Sequence, residues 1–140
     1  MFFFLRVEIR ESVDEAGESR AELDAAVEAI RSSMRGLGWG NLGSDRNQIA
    51  DIRYMNGFPV AIVHGASNHD RGTSQGLVDL LSVIGDCAPG SYGFAWYLDT
   101  EQKDSWIVHT LIRGEVEKRE DPWFSPIIPT VEDADPLTRS

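Results

Sequence analysis

His64 and His69 fall close together in the stretch HGASNHD, the only place in this 140-residue chain where two imidazoles are near in sequence. Imidazoles can ligate a metal or, beside a carboxylate, exchange a proton near neutral pH. Neither pattern is complete here. There is no H-x-x-x-H, H-E-x-x-H or C-x-x-C spacing to supply further ligands. His109 shares alternate positions with Ile107 and Leu111, where a histidine packs and hydrogen-bonds inside a sheet. The lone Cys87 ends an apolar run, so a small buried thiol is the simpler reading than a nucleophile, which needs a lowered pKa and a nearby base. No G-x-S-x-G elbow is present. The paired carboxylates Asp14-Glu15 and Glu132-Asp133 lie in polar stretches, where water solvates them and no pocket perturbs them. These residues argue against an enzyme and give no reason to expect a metal or a cofactor. A hydrolase-type enzyme using His64 or His69 is the lesser alternative, and a small regulatory or scaffold binding module is another.

The aromatic residues point towards packing and recognition. Trp96 and Trp106 sit in apolar runs and are expected in the core. Trp39, in the glycine-rich loop GLGWGNLGSDRN, and Trp123, in DPWFSPIIPTVED, lie outside regular elements, where an aromatic ring can anchor a protein interface or fold back on the core. The loop lacks G-x-x-x-x-G-K-[ST], so it is not read as a phosphate cradle. Pro122, Pro126 and Pro129 exclude a helix and a central strand, because each lacks a backbone donor. They also reduce the entropy lost on fixing an extended segment. The segment therefore reads as a proline-rich C-terminal strap across a sheet edge or the helix layer.

The positioning elements follow from periodicity. Leu5, Val7 and Ile9 alternate with Arg6, Glu8 and Arg10 as in a half-buried strand. Ser19 and Glu22 fit a capping box, and Leu23, Ala26, Val27, Ile30, Met34 and Leu37 then form a helical stripe that Gly36 or Gly38 ends. Asn56-Gly57 between two β-prone runs predicts a hairpin. A second helix starts near Ser74, carries Leu77, Leu80, Leu81, Ile84 and Ala88 on one face, and stops at Pro89-Gly90. Tyr92 to Leu98, Trp106 to Ile112 and a short charged Glu115 to Lys118 complete the strands. Apolar residues on both faces place the first two of these centrally. The order β-α-β-β-α-β-β-β predicts an α+β, two-layer domain: a mainly antiparallel sheet with two helices packed against it. Residues 1–130 are expected to form the single domain, with 131–140 a loose acidic tail.

Composition narrows the class of function. With 41% hydrophobic and 26% charged residues, a single core without disulfides is feasible. The opening MFFFLRVEIRES reads as a strand, since its apolar run stops at Leu5 and no basic segment precedes it. No stretch reaches the roughly 18 apolar residues of a membrane helix. These features and the single thiol lead us to expect a cytosolic protein. A net charge of −10 argues against nucleic acid or an anionic membrane as partner and suits a basic protein.

APGSYGFAWYLDTE (Ala88 to Glu101) and LIRGEVEKREDPWFSPIIPTVED (Leu111 to Asp133) resemble the immunity protein 7 family of bacterial polymorphic toxin systems. The early VEIRES and the NH-x-RG stretch (Asn68, His69, Arg71, Gly72) fit the same family, so the resemblance spans nearly the whole chain in order. It implies a cytosolic, non-enzymatic protein that binds the C-terminal toxin domain of its own strain and blocks it. It supplies no list of contact residues. From charge and loop position, the candidates for a basic, nuclease-like toxin are Asp14, Glu15, Glu18, Asp45, Asp70, Asp99, Glu101 and Asp104, with Trp39 as a possible anchor.

Overall fold

The computed structural model describes residues 1–12, 19–39, 48–99, 101 and 105–121. Its elements are β1 (Phe2–Glu8), α1 (Arg20–Gly36), β2 (Gln48–Met55), β3 (Phe58–Ala66), α2 (Thr73–Cys87), β4 (Tyr92–Leu98), β5 (Ile107–Ile112) and β6 (Glu115–Glu120). The expected α+β order is therefore present. The strands form one sheet in the order β2-β3-β1-β4-β5-β6, every neighbouring pair antiparallel. The strap and the tail, 122–140, lie outside the described residues.

Alternation in β1 buries Phe3, Leu5 and Val7 beneath the helices, and Ile9 continues the row. Helix α1 covers this layer with Leu23, Ala26, Val27, Ile30 and Met34, and α2 with Leu77, Leu80, Leu81 and Ile84. Two turns of left-handed backbone set the outer hairpins. Asn56 and Gly57 (φ 52° and 83°) join β2 to β3, and Arg113 and Gly114 (φ 51° and 79°) join β5 to β6. The Pro89-Gly90 turn closes through Ser91 N–H donating to the Ala88 carbonyl at 3.0 Å. Fully buried Ser91 then accepts from the Arg10 N–H at 3.0 Å, fastening the end of β1 to the start of β4.

The start of α1 differs from its sequence reading in one respect. Ser19 does accept from the Glu22 N–H (3.4 Å), but its own N–H donates to Glu11 (3.2 Å), so Glu11 replaces Glu22 in the reciprocal half of the capping box. The two carboxyls meet, and the hydrogen bond between them lowers the Glu11 pKa and raises that of Glu22. At the other end the helix runs through Gly36, and Gly38 takes the left-handed cap conformation (φ 87°). Gly38 N–H donates to the Arg35 carbonyl (3.1 Å) and Trp39 N–H to the Met34 carbonyl (2.7 Å). That pairing is a Schellman motif, whose last residue packs back onto the helix.

Candidate functional site

The C-cap pairing explains where Trp39 goes. Its ring turns inward and is 5% exposed, lies 6.1 Å from the Phe3 ring and donates from Nε1 to the Gly76 carbonyl at 3.4 Å. Gly76 makes the room, since a Cβ there would stand 3.3 Å from the indole. Trp39 is a core residue in this structure, and only its edge reaches a shallow recess beside Arg31 and Arg35. Trp96 and Trp106 also depart from expectation. They stack on each other, centroids 4.3 Å apart, half-buried on the face of the sheet opposite the helices.

Three of the candidate carboxylates converge at one end of the sheet. Asp70 lies just before α2, Asp99 just after β4, and Glu101 in the following turn. Gly72, the N-cap of α2, has no side chain to satisfy the first-turn donors. Asp70 does so instead, accepting from the Ser74 N–H at 3.1 Å and from the Ser74 hydroxyl. Asp99 accepts from the Glu101 N–H at 3.1 Å, which orders the turn. Glu101 in turn meets His69 Nδ1 at 2.7 Å, both side chains about half exposed (52% and 51%). This imidazole–carboxylate contact stands in solvent, and neither residue lines the adjacent cleft. His64 is elsewhere, on β3, edge-on to Phe4 with ring centroids 5.8 Å apart.

The cleft beside these carboxylates has a volume of about 260 Å³ and is lined by Asp70, Ser74, Tyr97, Asp99, Ser105, Ile107 and Lys118. Behind it, the Tyr97 hydroxyl and His109 Nε2 are 3.2 Å apart. Burial raises the Tyr97 pKa, and the charges of Asp70 and Asp99 raise it further. Burial also lowers the His109 pKa, with Lys118 adding to the effect. Both groups therefore stay neutral at physiological pH, and the charges left facing solvent here are the carboxylates and Lys118. Burial and Asp86 raise the Cys87 pKa, the opposite of activation. Asp14, Glu15, Glu18, Asp45 and Asp104 lie outside the described residues.

Sequence reasoning missed Tyr97, His109 and Lys118 as neighbours of the acidic rim. They lie on three consecutive strands, and only the β4–β5–β6 register brings them together. The Asp70-to-Ser74 spacing around Gly72 was the one local signal, a capping pattern without a capping residue in place.

Two helices on one face of a six-stranded antiparallel sheet, with a carboxylate rim at one end, define an α+β protein with an acidic edge. Residues 3–133 match the family model described as Immunity protein 7, and the chain belongs to that family. No curated protein matches it. Among solved structures it is similar to a phage SAM lyase in complex with S-methyl-5'-thioadenosine, at 16% identity over 89% of this chain and 93% of that one. The TM-score of 0.37 is too low to carry fold or activity across.

Proposed function

We propose that this chain neutralises a cognate bacterial toxin domain in the cytoplasm by binding it through the rim of Asp70, Asp99 and Glu101. Membership of the immunity protein 7 family carries the reading. The rim fits it: three carboxylates from two segments lie at one end of the sheet, where Tyr97 and His109 are neutral and, among the described residues, Lys118 is the one cation lining the cleft. A net charge of −10 favours a basic partner, such as a nuclease domain, and long-range attraction speeds its encounter. Asp14, Glu15, Glu18, Asp45 and Asp104, outside the described residues, are further candidate contacts for the same partner.

The test is co-expression with the C-terminal toxin domain encoded beside this gene, scoring cell survival and recovery of a complex. Wild-type chain rescues growth and co-purifies with the toxin domain. Asp99→Lys with Glu101→Lys weakens both. Rescue without a complex, or binding and salt dependence untouched by the double charge reversal, would refute the proposed contact.

A further inference from the structure

Strand β2 is outermost on one side of the sheet, and among the described residues no strand pairs beyond it. Such an edge offers its outward N–H and C=O groups to any other extended chain. The opposite edge, β6, is blunted by composition, since every residue of Glu115–Glu120 except Val116 is charged. Strand β2, QIADIRYM, lacks that defence. Ile49, Ile52 and Tyr54 are strong strand formers, and Ile49, Tyr54 and Met55 are exposed.

Register fixes which β2 groups face outward, because successive strand residues turn their main-chain groups to opposite sides. The Ile9 N–H donates to the Pro59 carbonyl at 3.0 Å, so Pro59 turns its main chain towards β1. Tyr54, paired with Pro59, therefore turns its own away from β3, and Ile52 and Ala50 follow at two-residue steps. At Ile52, the middle of that row, side chains already take both outward groups. Its N–H donates to Asp51 Oδ1 at 2.8 Å, and its carbonyl accepts from Arg31 Nη2 at 3.1 Å. Arg31 Nη1 also stands 3.6 Å from Asp51 Oδ1, and Arg53 Nε donates to Asp51 Oδ2 at 2.6 Å. The side chains of Arg31 and Asp51 are only 32% and 26% exposed. Towards the hairpin, Arg20 donates to the Gly57 carbonyl at 3.2 Å, and Asp24 accepts from the Tyr54 hydroxyl at 3.0 Å. Arg20, Asp24 and Arg31 follow at steps of four and seven residues, so one polar stripe of α1 runs along the β2 edge.

We infer that Arg31 and Asp51 form a latch that closes the β2 edge to strand addition, and that the strand it keeps off is β2 of a second copy. An incoming strand finds neither a donor nor an acceptor at Ile52. To pair, it must first break two hydrogen bonds to charged groups and leave Arg31 and Asp51 to find new partners. A second copy is the fitting intruder because antiparallel pairing about a two-fold axis gives each β2 the same outward groups it offers. The latch therefore keeps the chain from joining edge to edge with its own kind.

Hydrogen exchange of the full-length chain, read by mass spectrometry at several protein concentrations, tests this without the toxin. In the wild-type chain, exchange of residues 48–55 should not depend on concentration. In the Arg31→Met, Asp51→Val chain it should slow roughly tenfold between about 10 μM and about 500 μM, together with a gain of mass in sedimentation. Asp51→Ser serves if the double variant fails to fold. A folded variant whose 48–55 exchange ignores concentration overturns the inference. So does a wild-type chain in which that exchange already slows on concentration.

Discussion

The missing side chain at position 93 lets β4 lie against β1. A Cβ at Gly93 would stand 2.1 Å from the Arg6 carbonyl oxygen and 2.6 Å from the Val7 Cα, and both obstacles are backbone in the centre of the sheet. Backbone there has nowhere to move, so Gly93→Ala should cost about 3 kcal/mol or more, or prevent folding. Urea denaturation, or recovery of soluble protein, checks this. His109 gives a second residue-level outcome. Its pKa is held below the ordinary 6.5 by burial first and by Lys118 second. Below the ordinary value the unfolded chain takes up a proton that the folded chain refuses, so stability falls with acidification until the lowered folded pKa is reached. His109→Gln should flatten the stability curve as the pH falls below the ordinary histidine value of 6.5, while Lys118 keeps its charge. An unchanged slope in urea midpoints would exclude His109 as the source.

At the scale of elements, glycines two positions apart in α1 should respond with opposite signs. Gly36 is in the last helical turn with open space around it, whereas Gly38 is in the left-handed conformation of the cap. Gly36→Ala should therefore stabilise by up to about 1 kcal/mol, and Gly38→Ala should destabilise by about 1 kcal/mol. Denaturant midpoints of the two variants read the contrast directly. The helices and hairpins were legible in the sequence because their signals are local: the stripe from Leu23 to Met34, Asn56-Gly57, and Pro89-Gly90. What was not legible depends on neighbours distant in sequence. Trp39 looked like a loop anchor, since nothing local announces that Phe3 and Gly76 will receive it. Trp96 and Trp106 looked like core because β4 and β5 are apolar on both faces, and only the placement of both helices shows which face they cover. The same limit applied to the rim, where Asp70 was recognisable as a loop carboxylate but its sharing of one cleft with Asp99 was not.

Across the whole molecule, charge and topology have separate consequences. An excess of acidic groups acts at a distance and is screened by salt over about 8 Å at physiological ionic strength. The Asp99→Lys, Glu101→Lys chain should therefore lose most of its association rate at low salt and little of its stability, a difference that stopped-flow binding and urea denaturation can separate. Topology governs how the chain is made. Strand β1 is made before both strands that flank it and ends in the middle of the sheet, where Leu5 lies between Val63 of β3 and Ala95 of β4. The nascent chain must hold Phe2, Phe3, Phe4 and Leu5 with both edges open until β3 has been synthesised, and with one edge open until β4 follows. Completion of the sheet thus waits on contacts of high sequence separation, which form slowly and leave strand edges exposed to aggregation meanwhile.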